Sequence, residues 1–290
     1  MSTITISDVQ KHYRQKPVLK AANLAIEANQ IYGLLGRNGV GKSTLMRIIT
    51  NRTRIKVGTV TLDGESVFEN ERAQNRIYLM STAKLLPQEE KVFKLFKLIK
   101  TMYGDFDDDY AAHLAQAFDL DTHSKLRKLS TGYQTIANLI IALCVPCDFI
   151  LLDEPVLGLD ANHRELFYQE LAETFASRPR TFVIATHLIE EVSGLLNHVF
   201  VLADGQISLD EDVEVLQQRG REISGPAALV QDYLEGVPVL HTTRLGGMMT
   251  AYCLQTPLER PLPVGVSLDG MNLQRLFIEV TRKSGGNDEI

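Results

Sequence analysis

The sequence predicts an α/β fold: a mostly parallel sheet organised around a phosphate-binding loop. Three stretches predict it. Gly36-Arg37-Asn38-Gly39-Val40-Gly41-Lys42-Ser43-Thr44 reads G-x-x-x-x-G-K-S and lies between an apolar strand-like run, residues 31–35, and a helix-compatible run, residues 45–49. Phe149-Ile150-Leu151-Leu152 suits a strand buried on both faces, and it closes on Asp153-Glu154-Pro155. A helical pattern over 162–176 then leads to the apolar run 181–185 and to Thr186-His187.

The loop dictates the chemistry. Glycines without a Cβ let the backbone curl so that successive N–H groups point inward. The following helix adds unpaired N–H groups and the positive end of its dipole. In such a loop Lys42 reaches the β- and γ-phosphates and Ser43 ligates Mg²⁺.

In chain order, Thr3-Ile4-Thr5-Ile6 alternates like a half-buried strand, and Tyr13 follows in a polar turn. By position alone, Tyr13 is equally an adenine-stacking ring and a half-exposed surface tyrosine. Asp63-Gly64 after alternating residues signals a hairpin, and residues 77–80 form a short strand. Lys91-Val92-Phe93-Lys94-Leu95-Phe96-Lys97-Leu98-Ile99-Lys100 is helical, with an apolar stripe broader than one buried face requires. That stripe suits core packing with snorkelling lysines, a partner's docking face or a membrane surface. Asp105, Asp107, Asp108 and Asp109 read as a solvated turn or a helix start. In Leu129-Ser130-Thr131-Gly132-Tyr133-Gln134, Ser130 is an N-cap candidate for a helix reaching about 143, a second place to hold an anion.

Asp153 stands at the carboxyl end of its strand, where open parallel sheets bind ligands. Strand alternation sends Asp153 and Glu154 to opposite sides, one to steer Mg²⁺ and the other to face an attacking water. Pro155 biases Glu154 toward an extended backbone. Gly158-Leu159-Asp160 follows, and His187 returns to the same sheet edge one strand–helix unit later. Residues 199–207 read strand, Asp-Gly turn, strand.

Composition narrows the function. The chain has 290 residues, 44% hydrophobic and 23% charged, as ordinary globular proteins do. A net charge of −6 argues against a general nucleic-acid binder, and Arg47, Arg52, Arg54 and Lys56 read as a solvated turn. The first residues lack the basic start and apolar run of a signal peptide. The most apolar window, 139–152, is too short to span a bilayer and is interrupted by Pro146 and Asp148. The expectation is a cytoplasmic chain. Cys144-Val145-Pro146-Cys147 has redox or zinc spacing, but with only Cys253 as a further thiol it reads as buried and inert.

Taken in order, a tyrosine before the loop, GRNGVGKST, LSTGYQ, FILLDEP, GLD and ATH resemble the ATP-binding domain of ATP-binding cassette (ABC) proteins over roughly residues 4–207. The resemblance implies a P-loop NTPase fold with a parallel core sheet, an antiparallel N-terminal β subdomain and a helical subdomain at about 82–145. The domain spans 1–215. It also implies two such subunits, identical or not, meeting head to tail around two ATP. Carried over, Tyr13 stacks on adenine, and Asn38, Gly39, Gly41, Lys42, Ser43 and Thr44 hold the phosphates. Ser130 and Gly132 contact the γ-phosphate on the opposite subunit. Asp153 steers Mg²⁺, Glu154 is the general base, Asp160 lies at the dimer seam and His187 senses the γ-phosphate. Two departures stand out. Thr131 replaces the first of two signature glycines. Alignment by strand puts Ser81 where the family's glutamine normally ends the strand 77–80, Gln88 lies too far along, and the glutamine's role is left unassigned.

Residues 216–283 read as a small α+β extension. Pro226 opens a short helix, segments 237–244 and 248–254 flank the Gly246-Gly247 turn, and Leu273, Leu276, Phe277 and Val280 share one helical face. Residues 284–290 are expected to be disordered. The extension resembles that of ATPase subunits of ABC-2 type drug and peptide exporters. It implies an integral-membrane permease as partner, at the inner face of the plasma membrane. A soluble cassette ATPase serving ribosomes, DNA repair or iron–sulfur assembly and a P-loop small-molecule kinase are the competing readings.

Overall fold

The computed structural model describes residues 1–81, 86–254 and 260–281, which form three sheets. The central one has six strands, in the order Gln206–Asp212, His198–Ala203, Ile31–Leu35, Thr181–Ala185, Phe149–Asp153 and Ile77–Met80. Neighbours from His198–Ala203 onward pair in parallel, and Gln206–Asp212 closes one edge antiparallel. Ile31–Leu35, Phe149–Asp153 and Thr181–Ala185 are buried at every position, which is why they are almost wholly apolar. Gln206–Asp212 instead alternates exposed and half-buried residues, as an edge strand must.

Alternation along Phe149–Asp153 divides the core into two layers. Phe149 and Leu151 point into the cluster that holds Leu45, Met46 and Ile49 of the loop helix Lys42–Ile49, with Ile4, Ile6 and Ile26 beyond them. Those last residues belong to the second sheet, antiparallel, in the order Lys16–Glu27, Thr3–Tyr13, Val57–Leu62, Glu65–Ser66. The loop helix is therefore held between two sheets. Ile150 and Leu152 point the other way, toward the helices Val92–Tyr103, Asp108–Ala117, Thr131–Cys144 and Ala161–Ser177.

The third sheet is antiparallel, in the order His241–Leu245, Met248–Cys253, Arg221–Pro226, Ser267–Gly270. The helix Ala227–Tyr233 covers it through Val230 and Tyr233, against Ile223, Met249 and Ala251. Leu273 and Leu276 of the last helix, Leu273–Thr281, join the main core beside Val213 and Leu216. The division expected at 215/216 falls inside the helix Val213–Arg219. The disorder expected at 284–290 lies outside the described residues.

Several local expectations shift. Tyr13 ends the strand Thr3–Tyr13 and pairs with Lys16, so it does not lie in the turn itself. Segment 237–239 stays outside the Gly246-Gly247 hairpin, where Pro238 has no N–H for a ladder, while Leu240 N donates to Tyr252 O at 2.7 Å. Pro226 ends a strand and caps the helix that follows, one position before the expected place. In Val92–Tyr103 the broad stripe resolves into buried Val92, Leu95, Phe96 and Ile99, with Leu98 and Met102 left 40% and 59% exposed. Asp107 caps the helix Asp108–Ala117, accepting from Tyr110 N at 2.9 Å.

Arg76 fastens the N-terminal sheet to the central one. It donates to Asp63 at 2.7 Å, to Asp148 at 2.5 Å and to Ser2 Oγ at 2.7 Å. The bond from Arg76 holds the Asp63 carboxyl down at about 2, below its ordinary 3.8. A depressed carboxyl stabilises the fold fully above its unfolded value and loses that contribution as pH falls through the folded one. Asp63→Asn is therefore expected to be less stable than the wild type above pH about 4, with the gap closing toward pH about 2. Urea midpoints of both proteins across that range measure it, and a gap that widens on acidification would contradict the assignment.

Candidate functional site

The strands Ile31–Leu35, Thr181–Ala185 and Phe149–Asp153 are neighbours, and all three end at the same edge. The loop 36–41, Thr186-His187 and Glu154-Pro155 leave from those ends, so sheet order alone brings them together. Gly36 passes so close to the strand His198–Ala203 that a Cβ there would stand 2.6 Å from Leu202 O. Gly41, at φ +124°, precedes the helix Lys42–Ile49, whose first turn has no side-chain cap. Its N–H groups are left to meet an anion.

Lys42 is 6% exposed, and its Nζ donates to Gly36 O at 2.7 Å. Burial lowers its pKa, while Glu154 and Asp153 act in the opposite sense. Ser43 Oγ donates to Asp153 Oδ1 at 2.9 Å, and Asp153 is 3% exposed. These two oxygens suit a hard cation that keeps most of its water and takes its remaining ligands from phosphate. Among the described residues, no group of three or more His, Cys, Asp or Glu side chains is arranged to hold a metal.

Glu154 Oε2 lies 2.9 Å from His187 Nδ1. The expectation of an extended Glu154 is corrected: its φ is +51°. The residue before a proline is kept out of the right-handed helical region, and here it turns left-handed, a costly place for a non-glycine residue. The turn is held by Glu154 N donating to Ala185 O at 2.8 Å.

A second group forms around the helix Thr131–Cys144. Ser130 is exposed at its N-terminus, and its Oγ accepts from Tyr133 N at 3.2 Å. Gly132 lies against the turn that carries Gly158. Asp160 caps the helix Ala161–Ser177, accepting from His163 N at 3.0 Å, and that bond holds its carboxyl below the usual range. Asn38 and Gly39 are exposed at the loop tip, and Thr44 is half-buried beside Ser43. Tyr13 is 46% exposed, with Lys11 Nζ 5.4 Å from its ring centre.

Ser81 follows Met80, which pairs with Leu152, so its backbone runs level with Asp153. Its Oγ is buried without a hydrogen-bond partner. Gln88 is tied down, donating to Leu86 O at 2.9 Å. Cys144 and Cys147 are buried, and burial pushes the Cys147 thiol up to about 12 and Cys144 further. The C-x-x-C pair is packing. Sequence reasoning missed Thr135 and His163, which join Ser130's helix to the Asp160 turn. The Asp160–His163 spacing of three was their one available signal.

The ABC transporter family model matches residues 19–157. The ABC transporter ATP-binding protein YtrB of Bacillus subtilis is 29% identical over 215 residues, 74% of either chain. The Nod factor export ATP-binding protein I of Burkholderia pseudomallei is 26% identical over 307 aligned positions, 97% of either chain. The ribose import ATP-binding protein RbsA of Bacillus cereus is 28% identical, over 70% of this chain and 44% of its own. Among solved structures, an ATP-binding subunit of an ABC transporter superposes with a TM-score of 0.66 at 18% identity, covering 74% of this chain and 92% of its own. The cassette MJ0796, a dimer in a post-hydrolysis state bound to ADP and Pi, gives 0.64 at 22% identity, covering 72% and 98%.

Proposed function

Since this chain carries an ABC transporter ATP-binding domain, we propose that it binds and hydrolyses ATP with Mg²⁺, pairs with a second ATP-binding subunit and drives a separate export permease. The observation that carries the reading is the adjacency of three things at one sheet edge. These are an uncapped helix N-terminus with Lys42, the Ser43–Asp153 bond, and the Glu154–His187 pair.

Each residue has a task. Asn38, Gly39, Gly41 and Thr44 complete the phosphate cradle around the N–H groups of the loop. Lys42 Nζ exchanges the Gly36 carbonyl for phosphate oxygens, which are stronger acceptors for an ammonium. Ser43 and Asp153 would hold Mg²⁺, which neutralises charge on the β- and γ-phosphate oxygens. Glu154 takes a proton from the water whose oxygen attacks the γ-phosphorus as the bond to the β-phosphate oxygen breaks, releasing ADP and phosphate. His187 holds Glu154 in place through Nδ1 and turns its other nitrogen toward the γ-phosphate. Tyr13 offers its exposed ring to adenine. Ser130, exposed at a helix N-terminus, and the half-buried Gly132 beside it meet the γ-phosphate bound by a second subunit, with Asp160 at the seam.

The division into a cassette at 1–215 and an extension at 216–283 belongs to the same proposal. The third sheet has a small core of its own, which supports it. Export is favoured by coverage: the relative aligned along 97% of this chain, extension included, is named for export. The relative named for import aligns over 70%. No helix among the described residues is long and apolar enough to cross a membrane. A separate permease would then form the path, with this subunit at the inner face of the plasma membrane.

Glu154→Gln is expected to lower ATP turnover by ~10²–10⁴ while still forming a stable ATP-bound dimer. Phosphate release and sedimentation with Mg²⁺-ATP measure the two effects, and wild-type turnover in the variant would remove Glu154 from its role. Purified from detergent extract, the native protein is expected to bring a multi-span membrane protein with it. Recovery with ribosomal or iron–sulfur scaffold proteins would instead favour a soluble cassette ATPase.

A further inference from the structure

The helix capped by Ser130 touches the turn that follows Glu154, and the first turn of the helix after it. Thr135 Oγ1 lies 3.3 Å from Leu157 O and 3.1 Å from Thr131 O, so its one proton is shared between the turn and its own helix. Gly132 sits where a Cβ would come within 3.0 Å of Gly158 O, and the methyl group of Thr131 faces Gly158. The Tyr133 ring meets His163 edge-on, centroids 5.9 Å apart, and His163 Nδ1 lies 2.7 Å from Asp160 Oδ2.

The turn itself is stiff. Leu157 N donates to Glu154 O at 3.2 Å, and Leu159 N donates to Val156 O at 3.1 Å. Asp160 is fixed at the start of a seventeen-residue helix. Pulling on Leu157 or Asp160 therefore moves Glu154, because the residues between them are bound to one another. Ser130 lies at one end of this linkage and the Glu154 carboxylate at the other.

We infer that Thr135 and His163 are positioning residues that tie the Ser130 turn to the loop of Glu154. Through them, docking of Ser130 on the partner's nucleotide aligns Glu154 for hydrolysis of its own. The inference rests on the proposed ATPase reading. It assigns Thr131 and Tyr133 a purpose in the altered signature: the methyl and the ring fill the contact with the turn. Neither positioning residue touches substrate. Their effect should fall on turnover and spare the affinity for ATP.

A double-mutant cycle on turnover in the full-length chain tests it, using Ser130→Ala, Thr135→Val and both together. Each single variant is expected to lower kcat about tenfold, and the double to fall well short of the roughly hundredfold product expected of independent effects. Thr135→Val should keep the wild-type KM for ATP and unfolding temperature, and Thr135→Ser should restore kcat. If Thr135→Val unfolds early, His163→Phe takes its place in the cycle, since it keeps the ring against Tyr133 but loses the bond to Asp160. Wild-type kcat in both Thr135→Val and His163→Phe, a fully multiplicative double, or a loss confined to KM overturns the inference and leaves the ATPase reading intact. Absence of ATP turnover in the wild type overturns that reading, and this inference with it.

Discussion

The hydrogen bond from Ser43 to Asp153 joins residues 110 positions apart, and the rest of the site is built around it. One end is the first turn of the loop helix, and the other is the last residue of a strand buried on both faces. The loop helix packs on the sheet, with Leu45, Met46 and Ile49 in one buried cluster with Phe149 and Leu151. The N-terminal sheet covers the far side of that helix, which keeps its N-terminus fixed relative to the carboxylates. Asp153 is buried and Ser43 half-buried, so leaving the carboxylate without this partner would cost free energy. The apolar packing thus sets the polar geometry, and the two oxygens are ready for a cation without rearrangement of the backbone.

Much of this was legible before any coordinates. Phe149–Asp153 was readable because parallel strands covered on both faces tolerate almost nothing but apolar residues. The glycine loop was readable because few other residues accept its close approach to Leu202 O. The bent conformation of Glu154 was not readable. The rule for residues before proline weighs local sterics, whereas the conformation was decided by a hydrogen bond to Ala185, on the neighbouring strand. The place of Tyr13 was not readable, because its pairing with Lys16 extends a strand whose later residues no longer alternate. Thr135 and His163 carried almost no signal, since their partners lie across a helix–turn contact that no sequence period describes.

The departures from the family pattern have different physical weights. Thr131 in place of a glycine is accommodated, because it occupies the first turn of a helix and its methyl has a neighbour in Gly158. Ser81 in place of a glutamine is a larger change: a short hydroxyl, buried without a partner, stands level with Asp153 where a long amide is usual. Leu273 and Leu276 complete the same core as Val213 and Leu216, so the last helix is joined to the main body by packing as well as by sequence.

The central claim is that the Lys42 loop of one chain and the Ser130 turn of another close on the same nucleotide. A cysteine pair tests it most directly, with Asn38→Cys and Ser130→Cys introduced together, since the native Cys144, Cys147 and Cys253 are all buried. Oxidised under mild conditions with Mg²⁺-ATP, the doubly substituted protein should form a disulfide-linked dimer between chains, and little of it without nucleotide. Cross-linking that is absent with ATP, or equally efficient without it, would contradict the account.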